Sequence, residues 1–294
     1  MKKLFIILIL FILISGCVQE VGDVPLQTGG DEPYEGLRVN FIAVHGDSIL
    51  IESPEGQKVL IDGGSEAHAH NYLKSKNITV IDHAIATHPH SDHMPGIEWI
   101  MSDEDFRLKK LYGNKGAEAH LSSRMAKIGL VNVQVLKAGD SIDIGGAKLD
   151  VLWPPPDTGA IPIFSNDLSL VTRLEYGNVS FLFMGDCEAF CEYGIISSEA
   201  EIDSTILKAG HHGLETSSKP EFLQAVSPDV IVTTSYSSSQ YEPPVYIENR
   251  DINEYVMNTD SSHFDTQWNG TIRITTDGNA YNISLEKAPR GERW

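Results

Sequence analysis

The chain reads as a layered α/β domain built on two mixed β-sheets. Three observations carry this expectation. Short apolar strands recur in hairpin-like blocks, helical spacing is interspersed among them in both halves, and the size and composition suit a sizeable core. A sequence of 294 residues with 41% hydrophobic and 21% charged side chains fits one large domain, or at most two small ones. Its 8% aromatic content and 25 glycines exclude disordered, collagenous and coiled-coil classes.

Taken in order, the chain opens with Met1-Lys2-Lys3 and an apolar run from Leu4 to Ile14, followed by Ser15-Gly16-Cys17. The run is short for a membrane span and fits a signal-peptide core behind a basic start. Small residues directly before Cys17 resemble the lipobox of prokaryotic lipoproteins. That resemblance implies cleavage after Gly16, lipidation of Cys17 and an extracytoplasmic chain anchored to the cell membrane; the alternative is an uncleaved signal anchor. Residues 18–36, rich in Gly, Pro and acids without apolar periodicity, read as a flexible tether, and residues 37–294 as the folded domain.

Strands are expected at Val39–Val44, Ser48–Glu52 and Lys58–Asp62, where apolar runs are punctuated by Pro54-Glu55-Gly56. A helix over Glu66–Lys76 precedes a buried-type strand at Val80–Ala86, and helical spacing marks Ile97–Met101 and Lys115–Ile128. The second half is similar, with strands at Val131–Leu136, Lys148–Leu152, Leu168–Glu175 and Ser180–Met184. A helix near Glu188–Ile196 leads to a strand at Ser204–Lys208, a helix at Lys219–Ala225 and a strand at Asp229–Thr234. Strands at Thr271–Thr275 and Asn282–Leu285 close the pattern.

Twenty-two Lys and Arg stand against 41 Asp and Glu, a formal net charge of −19. Such a chain repels nucleic-acid backbones at long range, so a phosphate substrate needs a local positive centre, and a bound metal is the obvious one. Only Cys17, Cys187 and Cys191 are present, which excludes a disulfide scaffold and a four-cysteine zinc ribbon. Cys187 and Cys191 are spaced i, i+4 on an expected helix and are read as packed thiols rather than a bridge, given the geometry a bridge needs. His68 and His70 are read as surface residues, and Lys208 as a buried-strand neighbour.

The run Thr87-His-Pro-His-Ser-Asp-His-Met-Pro-Gly96 carries the chemistry. His88, His90, Asp92 and His93 are all able to ligate a divalent cation and follow an apolar strand directly. Period two puts His88 and His90 on one side, while Asp92 and His93 begin the next turn, so one segment can serve two adjacent ions. Imidazole and carboxylate suit zinc, and also manganese or iron. Three further strands end in polar signals: Val59-Leu-Ile-Asp-Gly-Gly64, Phe183-Met-Gly-Asp-Cys187 and Leu207-Lys-Ala-Gly-His-His-Gly213. Each alone is weak; together, in this order, they form a set.

With these motifs the sequence resembles the metallo-β-lactamase superfamily, from about Leu37 to Leu285, and more narrowly the extracytoplasmic hydrolase domain of ComEC-type competence proteins. Ser165-Asn-Asp-Leu-Ser-Leu-Val-Thr-Arg-Leu and Thr216-Ser-Ser add to the narrower likeness. The resemblance implies a four-layer αββα fold holding one or two divalent ions, zinc first among them. His88 and His90 would hold the first ion, Asp92, His93 and His211 the second, and Asp186 would bridge both. His211 is preferred to His212 as ligand, with His212 near the substrate, and Asp62 would orient ligands from behind. Many members place a further histidine on the first ion before the bridging aspartate. Here that stretch contains only His120, and Asp167 stands at the corresponding place as a candidate ligand. The opening Val44-His-Gly-Asp47 is shorter than the family's, and Tyr241-Glu-Pro-Pro244 lacks a late histidine that His263 could replace.

The function implied is a membrane-anchored hydrolase using a metal-activated hydroxide, with Asp92 and His212 in catalytic roles: a phosphodiesterase, with a nuclease among its forms although the net charge disfavours nucleic acid as partner. The alternatives are hydrolysis of a small ester, lactone or β-lactam, and a non-catalytic DNA-uptake or ligand-binding accessory protein.

Overall fold

The computed structural model describes residues 35–125, 133–159, 161–162, 165–234 and 249–287. The leader, Cys17 and Tyr241–Pro244 lie outside the described residues. Among the described residues, no helix is long and apolar enough to cross a membrane.

The first half begins with an antiparallel meander, β1 (Leu37–Phe41), β2 (Ile49–Glu52) and β3 (Lys58–Ile61). Helix α1 (His68–Ser75) then crosses to β4 (Val80–Ala86), parallel to β3. Helix α2 (Pro95–Ser102) leads to β5 (Arg107–Gly113), and α3 (Lys115–Met125) precedes the short β6 (Gln134–Val135). The second half holds β7 (Ser141–Asp143), β8 (Lys148–Trp153), β9 (Val171–Tyr176) and β10 (Val179–Phe183), all antiparallel neighbours. Helix α4 (Ala189–Ser197), β11 (Ile206–Lys208), α5 (Pro220–Val226), β12 (Val230–Thr233), α6 (Arg250–Asn258) and β13 (Ser262–Asp265) continue it with parallel pairing. After the short α7 (Thr266–Asn269), β14 (Ile272–Thr276) and β15 (Tyr281–Leu285) return to the first sheet, where β14 pairs with β1. The sheet orders are β15-β14-β1-β2-β3-β4-β5-β6 and β13-β12-β11-β10-β9-β8-β7.

Period-two alternation sorts the apolar residues into three cores. Leu37, Val39, Phe41, Ile49, Ile51, Val59 and Ile61 face Val151, Leu174, Phe181, Phe183, Ile206 and Val232 between the sheets. Their alternates Leu50 and Leu60 turn outward onto α1, α2 and α3 through Leu73, Ile97, Ile100 and Leu121. On the other sheet, Leu182, Leu207 and Ile231 meet Ile195, Phe222, Leu223, Val226 and Ile252 of α4, α5 and α6. The result is a four-layer αββα sandwich, with β3, β4, β10, β11 and β12 ending at one common rim. Open α/β sheets place their sites at such carboxyl ends.

Several elements were not readable as patterns. The strand β5 opens with Arg107, Lys109 and Lys110, which face solvent, and only its last three residues are buried. Helix α6 is a polar segment with one buried residue, Ile252, and starts where Asn249 Oδ1 accepts from Asp251 N–H and Ile252 N–H.

Two expectations are corrected. Cys187 and Cys191 form a disulfide, with Cα atoms 5.5 Å apart. The helix begins only at Ala189, so Cys187 sits in the turn before it and the pair meets the geometry of a bridge. His70 is buried, its Nε2 2.7 Å from Asp103 Oδ2, whereas His68 is exposed as expected.

The fold also buries Glu192, whose carboxylate accepts from Ser218 N–H (2.5 Å) and Lys219 N–H (3.0 Å) at the start of α5. Burial raises its pKa to about 7, outweighing those donors and Lys219. The folded chain therefore keeps a proton that the unfolded chain releases, and this group's contribution to stability is lost as pH rises from about 4.5 to about 7. In urea unfolding across that window, Glu192→Gln is expected to lose about 3 kcal/mol less than wild type, at 1.36 kcal/mol per pKa unit.

Candidate metal centre

At the rim, β3 ends in Asp62, a buried residue with left-handed backbone (φ 57°). Its Oδ1 accepts from Thr87 N–H (2.8 Å), and its Oδ2 accepts from Thr87 Oγ1 (2.7 Å) and lies 2.8 Å from His93 Nδ1. The next residue, Gly63, packs against Gly96 at the start of α2: a Cβ on Gly96 would lie 2.0 Å from Gly63 O. Glycine at both places lets the β3 turn press onto the segment between β4 and α2, and Gly63 N–H donates to His93 O (2.6 Å).

The other sheet joins at the same point. Leu170 N–H donates to Thr87 O (3.0 Å), and Ser169 Oγ accepts from Asp186 N–H (3.1 Å). Asp186, just past β10, is 1% exposed. Its Oδ2 lies 3.5 Å from His88 Nε2, and its Oδ1 lies 3.2 Å from His93 Nε2 and 3.6 Å from His212 Nε2. Asp92 Oδ2 is 3.2 Å from His212 Nε2. Two groups of potential ligand atoms share Asp186: Asp92, His93, Asp186 and His212, and beside it His88, His90 and Asp186; Asp47, Asp62 and His93 form a third, buried group.

Hydrogen bonding behind the imidazoles leaves their Nε2 atoms directed inward. Thr87 gives its one hydroxyl proton to Asp62, so its oxygen accepts from His88 Nδ1 (3.1 Å). Asp62 takes His93 Nδ1, while Thr234 Oγ1 and Asp47 Oδ1 lie 3.1 and 3.2 Å from His212 Nδ1. His88 Nε2, His93 Nε2 and Asp186 Oδ1 are buried and make no well-aligned hydrogen bond among the described residues, although His93 Nε2 and Asp186 Oδ1 lie 3.2 Å apart. Orphaned polar atoms at this depth cost free energy unless something satisfies them, and this donor set fits divalent cations.

The electrostatics agree. Burial, reinforced by His93, pushes the His88 pKa well below the ordinary value. Burial also pulls His93 and His212 down, but Asp186 with Asp62 lifts His93 well above the ordinary value, and Asp186 with Asp47 lifts His212 to about 9. Burial would raise Asp186 and Asp92. His93, His212 and His88 instead hold Asp186 well below the ordinary range, and the His212 hydrogen bond and His93 bring Asp92 to about 2. A cation binding here would displace the protons that His93 and His212 hold.

The structure places two of the expected ligands outside these groups. His212, not His211, joins Asp92, His93 and Asp186. Both histidines have left-handed backbone (φ 44° and 57°) in a tight turn over Gly210–Gly213, so strand alternation does not govern which side chain points inward. Such conformations cost about 1–3 kcal/mol each and persist where the surroundings enforce them; here His211 N–H donates to Gly185 O (3.1 Å). His211 lies at the mouth, its Nδ1 2.8 Å from both Glu188 Oε1 and Thr216 Oγ1 and its Nε2 3.9 Å from Asp186 Oδ2. Asp167 belongs to none of these groups: its Oδ1 accepts from Cys191 N–H (3.2 Å), and burial raises its pKa. Its neighbour Asn166 faces the centre, with Nδ2 3.2 Å from Glu188 Oε1 and 3.4 Å from His211 Nε2. His120 is remote, paired with Glu98, and His263 Nε2 contacts Thr233 Oγ1 (2.9 Å).

Sequence reasoning missed Glu188, although its position two residues after Asp186 was a usable signal. It noted Asp47 and Lys208 without giving them a place at the site.

A family model for the metallo-beta-lactamase superfamily matches residues 42–233. The chain belongs to that superfamily. It is 29% identical over 194 residues to ComE operon protein 3 of Bacillus subtilis (strain 168), covering 64% of this chain and 23% of that protein. It is 28% identical over 208 residues to Recombination protein 2 of Haemophilus influenzae, covering 70% and 24%. The chain thus spans about a quarter of the length of these relatives, which are ComEC-type competence proteins. Among solved structures, the metallo-beta-lactamase fold protein YhfI from Bacillus subtilis aligns with a TM-score of 0.53 at 14% identity, over 80% of this chain and 96% of that one. That likeness concerns the fold.

The revised ligand set has a direct check in zinc titration of purified variants. His212→Ala is expected to weaken binding by at least about 10- to 100-fold, the loss known for weaker outer-shell partners, while His211→Ala leaves affinity unchanged.

Proposed function

We propose that this chain is a metal-dependent phosphodiesterase, anchored outside the cytoplasm by a lipid on Cys17. The observation that carries the catalytic reading is the convergence of His88, His93 and His212 Nε2 on Asp186, with Asp92 alongside and the opposite ring nitrogens tied back.

His93, His212, Asp92 and Asp186 would hold one divalent cation, and His88, His90 and Asp186 the other; zinc suits this set, and manganese or iron is compatible with it. When bound, such cations acidify a water to near neutrality and neutralise charge developing on a phosphoryl oxygen. Asp92 is ionised at neutral pH and partly open to the mouth, with 16% of its side chain exposed, so it can accept a hydrogen bond from the attacking water. His211, steadied by Glu188 and Thr216, presents its Nε2 edge beside Asp186, where it can bind a substrate oxygen. This gives His211 the substrate-facing place expected of His212. Ser169 and Thr87 fix Asp186 and His88 and require no movement during the reaction.

The ComEC-type relatives, named for competence and recombination, support a phosphodiester substrate. The net charge of −19 works against a long duplex and favours a short or small phosphodiester, with small esters and lactones as the second reading. Hydrolysis of bis(p-nitrophenyl) phosphate should be abolished by chelation and restored by zinc or manganese. His88→Ala and Asp186→Asn should each reduce it by at least about 100-fold, as for loss of a charge-stabilising group. Metal uptake without phosphodiester turnover would move the assignment to small esters.

A further inference from the structure

We propose that Asp47 and Lys208 are positioning residues for the cation group formed by Asp92, His93, Asp186 and His212, an inference that rests on the metal-centre reading above. Lys208 ends β11, where alternation with Ile206 turns it toward the space between the sheets, and it is fully buried. Its ammonium bonds the Asp47 carboxylate and donates to Gly185 O (3.1 Å), the carbonyl just before Asp186. Asp47, from the connection between β1 and β2, comes from the opposite sheet. Its Oδ1 accepts from Thr234 Oγ1 (2.5 Å) and lies 3.2 Å from His212 Nδ1.

The same residue holds Asp92 through its backbone. Asp47 N–H donates to Asp92 O (3.1 Å), and Asp47 O accepts from Gly64 N–H (2.7 Å). The approach is close: a Cβ on Gly46 would lie 1.8 Å from Asp92 O, and Gly46 has φ +90°. One ion pair therefore reaches three ligand-bearing segments: Asp92 through the Asp47 backbone, His212 through the Asp47 carboxylate, and Asp186 through Gly185. His88 is oriented separately, by Thr87. Replacing a buried ion pair by apolar residues is often neutral or stabilising, so stability alone is a poor reason for a lysine here. Holding the ligands of one cation in register explains it, as outer-shell contacts do at metal sites.

The test uses the full chain with cobalt(II) as probe, followed by its visible absorption, and far-UV circular dichroism to monitor folding. Wild type is expected to fill two spectrally distinct sites. In the charge-neutral double variant Asp47→Asn/Lys208→Met, one site should keep its affinity and the other weaken by about 10-fold or more. Thr234→Val is close to isosteric and removes the hydroxyl that lies against both Asp47 Oδ1 and His212 Nδ1; it should weaken the same site to a smaller degree, so the result does not depend on the double variant folding. Wild-type affinities and spectra in both variants, or equal weakening of both sites, would overturn the positioning role. A wild-type chain that takes up no cobalt would overturn the metal-centre reading and this inference together.

Discussion

Asp186 is buried at the end of β10, with one carboxylate oxygen lacking a well-aligned hydrogen bond and the Nε2 atoms of three imidazoles within 3.6 Å. A charge at that depth must be compensated or neutralised. Asp47 and Asp62 are buried within the same pocket, where Lys208 is paired with Asp47. The remaining negative charge is shared with His93 and His212, whose pKa values rise accordingly. Protons on His93 and His212 can fill this role, and burial holds His88 well below the ordinary imidazole range, which leaves its Nε2 lone pair open to a cation.

The sandwich supplies this pocket because each sheet gives up part of its common rim. Asp62 and the His88–His93 segment come from the first sheet, Asp186 and His212 from the second. Cross-links such as Leu170 N–H to Thr87 O and the Asp47–Lys208 pair hold the halves together. Behind the second sheet's contribution, the Cys187–Cys191 bridge and the Glu192 carboxylate brace the segments that follow Asp186 and His212. Chemistry and packing therefore meet in the same loops, which explains the tight glycine contacts and left-handed residues there.

Much of this was legible from residue order. Alternating apolar strands marked the two-sheet core, and a run such as His88-Pro-His-Ser-Asp-His93 at a strand end has few other physical uses. What escaped the sequence was decided by backbone geometry that spacing does not encode. The left-handed turn at His211 and His212 put His212, rather than His211, beside Asp92, His93 and Asp186, and the short 3₁₀ turn over Asn166–Leu168 sent Asp167 toward α4 and Asn166 toward the centre. Cys187 lay outside the helix assumed for it. The Asp47–Lys208 pair joins residues 161 positions apart, and nothing local to either marks the other as its partner.

The account stands or falls on whether cations occupy the convergence point. Anomalous diffraction from crystals of the chain soaked in zinc is the most direct measurement. The account predicts peaks within the pocket, one among Asp92, His93, Asp186 and His212 and one beside His88, His90 and Asp186. Zinc bound only at surface carboxylates or histidines, with no anomalous density in the pocket, would contradict it.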